Sequence, residues 1–144
     1  MKLWIVGREI PASIKGLTHD PDIFFDESKS VYPTEKLFQE ADILLAPIRI
    51  GGGTSYKILE SMSCGTPVVA TKMSAQSLEA TDNLNIMVGG SPAELAEKTL
   101  KLLSDKKLYE KCAKNGRKLI EEKYTWKRIA GDLEKVYLEL RIKN

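Results

Sequence analysis

Five short apolar runs, separated by longer segments of helical period, constrain the fold of this chain more than any other feature. They occupy residues 3–6, 23–25, 43–46, 67–70 and 85–88. None alternates polar with apolar residues along its length, which indicates strands buried on both faces. Alternation of such strands with helices predicts the α/β class, with a doubly wound parallel sheet of about five strands.

Helix boundaries are visible between the runs. Ser91, Pro92 and Glu94 combine an N-cap, a proline at the first helical position and a carboxylate at the third. Gly65 follows the helical segment 56–63 where a C-terminal glycine is expected. These signals predict helices at the places where a doubly wound sheet needs them.

The length of the chain limits its organisation. With 144 residues it is long enough for one domain and too short for two ordinary ones. One α/β domain over residues 1–144 is predicted. Two C-terminal helices, at about residues 105–124 and 126–142, have no strand after them, so they are expected to pack on the outside of the sheet or on a partner.

Composition and charge exclude several classes of function. The net charge is +2, with basic residues spread among acidic ones, whereas a nucleic-acid binder carries a basic face or stripe. Cys64 and Cys112 have no His or Cys at metal-ligand spacing, so no metal site is predicted. No apolar run reaches the roughly 20 residues that span a bilayer, and the start does not resemble a signal peptide. A cytoplasmic protein with reduced cysteines is expected.

The chemistry that the sequence suggests lies in residues 46–71, which read APIRIGGGTSYKILESMSCGTPVVAT. This pattern predicts a strand, a glycine-rich loop, a helix and a strand. Ligands of open parallel sheets bind beyond the carboxyl ends of the strands, and this loop leaves such an end. Gly51, Gly52 and Gly53 let the backbone approach a ligand closely. The first amides of the next helix are unpaired and lie at its positive end, which favours a phosphate.

Side chains near the start of this helix suit the same ligand. Thr54 and Ser55 are candidate caps, and Lys57 adds a cation for a diphosphate. Glu60 shares a helical face with Tyr56 and Lys57, and its carboxylate can accept hydrogen bonds from a ribose diol. Plainer interpretations stay open, because the glycines also suit a flexible turn and Lys57 with Glu60 a solvated ion pair. The loop is neither a Walker A nor a G-x-G-x-x-G motif.

Residues 60–69, ESMSCGTPVV, resemble the donor-site motif of the retaining, family-four (group 1) glycosyltransferases of GT-B fold. That motif has a glutamate, seven residues, a second glutamate and a tail Ala-Met-x-x-Gly-x-Pro-Val-Val, of which the second glutamate and the tail match. Residues 3–7 (LWIVG), 41–47 (ADILLAP) and 124–126 (YTW) resemble other segments of the same Rossmann-like C-terminal domain. The resemblance therefore covers nearly the whole chain.

The resemblance implies a donor-binding domain for a nucleoside-diphosphate sugar of the UDP or GDP type, with no metal or other cofactor. It implies eight donor-binding residues: Gly51, Gly52, Gly53, Thr54, Ser55, Tyr56, Lys57 and Glu60. The glutamate would bind the ribose, the first helix amides the diphosphate, and the loop the transferred sugar. The nucleobase would lie near residues 26–31, and no catalytic residue is assigned.

Departures from the family pattern bear on activity. Gly52 stands where the motif has its first glutamate, so the identity of the transferred sugar is not predicted. An amino-terminal acceptor domain and the first strand of the donor domain have no counterpart in these 144 residues, so little or no transfer is expected from this chain alone. That acceptor domain, or a second chain, is the expected partner, and peripheral membrane association is considered only for the full enzyme.

The missing strand also predicts a strand order. The family order 3-2-1-4-5-6 without its first strand becomes, renumbered, the flavodoxin-like order 2-1-3-4-5 if the first and third strands pair directly. A strand inserted by a second chain, or a swapped dimer, is the alternative. Two rival functions stay open: a non-catalytic nucleotide-binding or interaction module, and a structural fragment with an incomplete site.

Five further residues are left outside the candidate site. His19 is expected to be a solvated loop residue, and Trp4 and Trp126 core or helix-packing residues. Arg8 and Arg49 follow strand ends and are weaker candidates for phosphate contacts.

Overall fold

A computed structural model describes the backbone of residues 1–142 and their side chains, except those of residues 29, 30 and 142. Its strands are β1 (Leu3–Val6), β2 (Ile23–Asp26), β3 (Leu44–Ala46), β4 (Val68–Thr71) and β5 (Met87–Gly89). Its helices are α1 (Ala12–Lys15), α2 (Thr34–Glu40), α3 (Tyr56–Ser63), α4 (Lys72–Ala75), α5 (Pro92–Ser104), α6 (Lys106–Lys123) and α7 (Trp126–Ile142). The strands pair in parallel, so the predicted α/β class is confirmed.

The chain forms two compact units, one that ends at Leu37 and one that begins at Phe38. In the first, β1 and β2 pair with Leu3 opposite Ile23. Both strands are only partly buried, and Phe24 is 41% exposed. The prediction that these two runs are buried on both faces is therefore wrong: the α-helix between them, α1, has only four residues and none of them is buried. The single-domain organisation over residues 1–144 stays a prediction.

The second unit is built on a three-stranded sheet with β4 at its centre. Val68, Val69 and Ala70 are fully buried, as the apolar run predicts. Because side chains alternate along a strand, Val68 and Ala70 face one side of the sheet and Val69 the other. The first side packs against Ile58 and Met62 of α3 and Ile120 of α6, and the second against Met87, Leu95, Leu102 and Cys112. This sheet is therefore covered on both faces.

The predicted direct pairing of the first and third strands is wrong. β1 pairs with β2, β3 pairs with β4, and the five strands form two hydrogen-bonded sheets of two and three strands. The order 2-1-3-4-5 in one sheet does not form. Backbone pairing needs strands about 4.8 Å apart, and an apolar run predicts burial without specifying which strand lies beside it.

The C-terminal helices begin where the sequence predicts. Asp105 caps α6 by accepting a hydrogen bond from the Leu108 amide at 3.0 Å, and Thr125 caps α7 through the Arg128 amide at 3.3 Å. α6 packs against α3 and α5, and α7 packs against α6. None of the helices within residues 1–142 is both long and apolar enough to cross a membrane.

Two tryptophans and two cysteines have different surroundings. Trp4 is half-buried and its Nε1 donates a hydrogen bond to Asp26 Oδ2 at 3.2 Å. Trp126 is 78% exposed, so its predicted packing role is wrong. The side of α7 that contacts α6 is the one that carries the half-buried Gly131. Cys64 and Cys112 are free thiols.

Candidate functional site

The glycine-rich loop, residues 47–55, connects the carboxyl end of β3 to α3. Thr71, the last residue of β4, donates a hydrogen bond from Oγ1 to the Ile48 carbonyl oxygen at 2.5 Å. Ser74 in α4 donates to the Ala46 carbonyl oxygen at 3.4 Å. These two contacts hold the first part of the loop at the carboxyl rim of the three-stranded sheet, where ligands of such sheets bind.

The three glycines of the loop are exposed, and a side chain could be accommodated sterically at two of them. A Cβ atom added to Gly52 or Gly53 would meet no atom within 4 Å. Gly53 has a φ of +77°, a conformation that residues with a side chain rarely adopt. Glycine is therefore needed at Gly53 for its backbone conformation, whereas Gly52 simply leaves open space.

The first amides of α3 make no hydrogen bond to any residue that the structure describes. Ser55 is the N-cap residue, and its carbonyl oxygen accepts hydrogen bonds from the amides of Ile58 and Leu59 at 3.0 and 3.3 Å. Its hydroxyl makes no capping hydrogen bond, so the predicted side-chain cap is wrong. Within residues 1–142, the N–H groups of Ser55, Tyr56 and Lys57 have no hydrogen-bond partner.

This open start distinguishes α3 from the other helices that begin in the second unit. In each of α4 to α7, a side-chain oxygen accepts a hydrogen bond from an amide of the first turn. The capping residues are Thr71, Ser91, Asp105 and Thr125. Of these five helices, as far as the structure describes them, α3 alone leaves its first turn without a side-chain cap.

The charged side chains of α3 stand in solvent. Tyr56 is 67% exposed, and Lys57 and Glu60 are exposed as well. Lys57 and Glu60 make no ion pair with each other, so the plainer interpretation of them as a solvated pair is not what the structure shows. The opposite face of the helix is fixed, since Ile58 and Met62 are buried in the core. A helix anchored on its buried face thus presents a cation, a carboxylate and unpaired amides.

The structure also places the residues outside the candidate site. His19 lies in an exposed loop, as expected, and Arg8 and Arg49 are exposed. The predicted nucleobase region, residues 26–31, lies in the first unit, and its side chains at 29 and 30 are outside the described residues. There, Asp26 Oδ1 accepts hydrogen bonds from the amide and hydroxyl of Ser28.

Thr71 and Ser74 were not identified from the sequence. The available signal was position, because Thr71 is a polar residue directly at the carboxyl end of a buried strand. The next residue, Lys72, is exposed at the same rim. Among the side chains that the structure describes, no group of three or more His, Cys, Asp or Glu residues could hold a metal ion.

Comparison with known proteins identifies the family. The family model described as glycosyl transferases group 1 matches residues 1–105. Two uncharacterized glycosyltransferases of Methanocaldococcus jannaschii are 26% identical over 106 residues and 27% identical over 114 residues. The matches cover 72% and 78% of this chain but only 27% and 32% of those relatives. The chain therefore spans about a third or less of the curated relatives it matches.

Two solved structures are similar to this one. The C-terminal domain of a group 1 family glycosyl transferase (LpcC) from Francisella tularensis has a TM-score of 0.66 and 27% identity, over 79% of this chain and 60% of that chain. Sucrose-phosphate synthase from Thermosynechococcus elongatus has a TM-score of 0.79 and 20% identity, over 99% and 39%, and shows the fold alone. The chain belongs to the group 1 glycosyltransferase family, and its fold is that of a GT-B C-terminal domain.

Proposed function

We propose that this chain is the donor-binding domain of a glycosyltransferase and that the start of α3 binds the diphosphate of a nucleoside-diphosphate sugar. The observation that carries this proposal is the set of unpaired amides at Ser55, Tyr56 and Lys57. Each is a hydrogen-bond donor at the positive end of the helix dipole, and together they favour an anion.

The neighbouring groups fit the rest of such a donor. The exposed Lys57 ammonium supplies a charge complementary to the diphosphate. Glu60, one turn further along α3, offers two carboxylate oxygens to the two hydroxyls of a ribose. The loop at Gly52 has open space that a sugar ring can occupy. No step of this binding uses a metal ion.

Exposure of these groups limits the affinity expected from this chain alone. A ligand on an open rim keeps much of its contact with water, which weakens each charged interaction. We expect a dissociation constant of about 0.1 to 1 mM, equivalent to about 4 to 5.5 kcal/mol. Transfer also requires an acceptor held beside the donor and exclusion of water, so we expect little or no turnover without an acceptor domain.

Titration calorimetry with UDP, GDP, ADP and their sugar forms tests the proposal. Lys57→Ala and Glu60→Ala should each weaken binding, and the amide NMR signals of Ser55, Tyr56 and Lys57 should shift on titration. Added Mg²⁺ should leave the affinity unchanged.

Lys107→Ala is the matched control. Lys107 is exposed at the second position of α6, as Lys57 is in α3, but the first turn of α6 is capped by Asp105. Binding that Lys57→Ala and Lys107→Ala reduce equally would show only general charge attraction. Absence of binding at millimolar ligand would reject the proposal.

A second candidate function is a nucleotide-binding module without catalysis. It is favoured by Gly52, because this glycine stands where the donor-site motif of the family has its first glutamate. Turnover of a sugar donor after addition of a separate acceptor domain would exclude it. If binding occurs without turnover, Gly52→Glu tests whether the lost carboxylate is responsible, since a side chain at this position meets no neighbouring atom.

A further inference from the structure

The backbone pairing between β3 and β4 ends one residue before β4 does. Ala46 lies opposite Ala70 in the last pair of the two strands, and the residue after it, Pro47, has no N–H to donate. Thr71 continues β4 and is paired with Gly89 of β5. Thr71 therefore stands where backbone hydrogen bonds no longer hold the chain that leaves β3.

The hydroxyl of Thr71 takes over from the backbone pairing at this point. Its single proton goes to the Ile48 carbonyl oxygen, at 2.5 Å. Its oxygen accepts from Ser74, whose amide nitrogen lies at 3.3 Å and whose hydroxyl lies at 3.0 Å. One donated and two accepted hydrogen bonds use the full capacity of a hydroxyl group. Because Ser74 is itself buried, Thr71 is held by α4 while it holds the loop.

The rest of the glycine-rich loop depends on this contact. Among the described residues, no hydrogen bond is made by residues 49–54, which include three consecutive glycines. Ile48 is therefore the last residue that a hydrogen bond fixes before Ser55, the N-cap of α3. Without the Thr71 contact, the unfixed segment would lengthen to residues 47–54 and would populate more conformations. Carbonyl groups of such a loop can compete with a ligand for the open amides of α3.

We propose that Thr71 is a positioning residue of the donor site, whose hydroxyl holds the loop in the conformation that leaves the first amides of α3 open to a diphosphate. The inference rests on the proposed function, because it takes these amides to be the ligand-binding groups. Thr71 acts through Ile48 and not by contact with the ligand. Its loss should therefore weaken the binding of UDP, GDP and ADP by the same factor.

Cleavage by trypsin after Arg49 measures the order of the loop without any ligand, because Arg49 is exposed and directly follows Ile48. Mass spectrometry gives the rate at which the fragment 1–49 appears. Thr71→Val keeps the shape of the side chain and removes the hydroxyl, so it should raise this rate about fivefold, the change expected from loss of one hydrogen bond. Thr71→Ser keeps the hydroxyl and should cleave at the wild-type rate.

Titration of the same variants with UDP, GDP and ADP measures the effect on binding. Thr71→Val should bind all three about fivefold more weakly than the wild type, and Thr71→Ser should bind them as the wild type does. The amide NMR signals of Ser55, Tyr56 and Lys57 follow the titration at millimolar ligand.

Thr99→Val is the matched control. Thr99 is half-buried, as Thr71 is, and its hydroxyl donates to the Leu95 carbonyl oxygen at 2.8 Å, within α5. This variant should change neither the cleavage after Arg49 nor the affinity. If circular dichroism shows that Thr71→Val does not fold, Ser74→Ala takes its place, since it removes a hydroxyl that fixes Thr71 and should shift both measurements in the same direction.

Two results would overturn the inference alone. One is a wild type that binds nucleotide while Thr71→Val and Ser74→Ala bind it equally well, even if their loops are cleaved faster, because Thr71 would then have a structural role only. The other is an equal change in Thr99→Val. A wild type that binds none of the three nucleotides would instead reject the proposed function, and this inference with it.

Discussion

Helices α3 and α5 both follow a glycine-containing loop at the carboxyl end of a strand in the same sheet, but only α5 caps its own first turn. Ser91 accepts a hydrogen bond from the Glu94 amide at 3.2 Å, and Glu94 accepts one from the Gly90 amide at 2.6 Å. The hydroxyl of Ser55 makes no such bond at α3. A side-chain cap stabilises a helix by about 1 kcal/mol, so α3 gives up stability that α5 keeps.

The comparison shows which helix amides are open at the rim of this sheet and which are occupied. At α5, Ser91 occupies the Glu94 amide and the Glu94 carboxylate occupies the Gly90 amide, so an anion would have to displace a side chain to reach either of them. Those of α3 are open, although the helix, like α5, buries apolar side chains in the core. Local departures from the best capping chemistry are expected at functional sites.

The largest expected effect concerns how strongly α3 and α5 are anchored in the core. The comparison assumes that the buried side chains of both helices contribute similar stability. Ile58 of α3 is fully buried and Leu95 of α5 is 7% exposed. Ile58→Ala and Leu95→Ala should each lower the free energy of unfolding by about 2 to 5 kcal/mol, through lost burial and a remaining cavity. Urea denaturation measures both. A much smaller loss for Ile58→Ala would mean that α3 is loosely held, and the comparison would fail.

The next effect concerns the loop that leads into α3. Gly53→Ala forces an alanine into a conformation with φ of +77°, which should cost about 1 kcal/mol or more and should weaken nucleotide binding. Gly52→Ala meets neither strain nor a close atom, so its stability should match the wild type. Thermal unfolding and titration of both variants provide the measurement. Equal behaviour of the two would show that the loop backbone is not constrained at Gly53.

A smaller effect tests the capping difference itself. Ser91→Ala removes a capping oxygen and should cost about 1 kcal/mol, whereas Ser55→Ala removes no hydrogen bond to an amide and should leave stability unchanged. Chemical denaturation of Ser91→Ala and Ser55→Ala measures the free energy of unfolding of each variant and tests this difference. A loss of stability in Ser55→Ala comparable to that in Ser91→Ala would show that α3 is capped in solution.

The smallest effect is a pH dependence on the α5 side. Asp82 accepts hydrogen bonds from the Val88 amide at 2.7 Å and from Lys98 of α5. Burial opposes the charged form of Asp82, but these hydrogen bonds outweigh it, and the pKa of Asp82 is lowered. Its contribution to stability is therefore complete above the unfolded-state pKa of about 4 and is lost as pH falls through the lower folded-state value.

Unfolding measured from neutral pH down to about pH 2, well below the usual Asp pKa of about 3.9, tests this dependence. Asp82→Asn should lose part of the acid sensitivity while leaving nucleotide binding at α3 intact. An identical pH profile for wild type and Asp82→Asn would contradict it.

Features set by neighbouring residues could be predicted from the sequence. The caps at Ser91 and Thr125 follow from oxygen atoms three residues before an amide, and the buried run of β4 follows from its composition. Such local geometry varies little with the rest of the fold. The loop and helix of the candidate site were located in the same way, because they occupy one continuous segment.

Features that depend on distant contacts could not be predicted. Ser55 has a capping side chain, but whether its hydroxyl turns toward an amide depends on the path of the whole loop. The separation of the strands into two sheets depends on which backbones approach each other. The anchoring role of Thr71 requires the Ile48 carbonyl to lie beside it, 23 residues away in the chain.

The position of α6 has a consequence for how the second unit opens. Ile120 belongs to the cluster on one side of the sheet and Cys112 to the cluster on the other. Departure of this single helix would expose apolar side chains on both sides of the sheet to water together. α6 thereby couples the two sides of the sheet, and the open start of α3 and the capped start of α5 belong to one folding element.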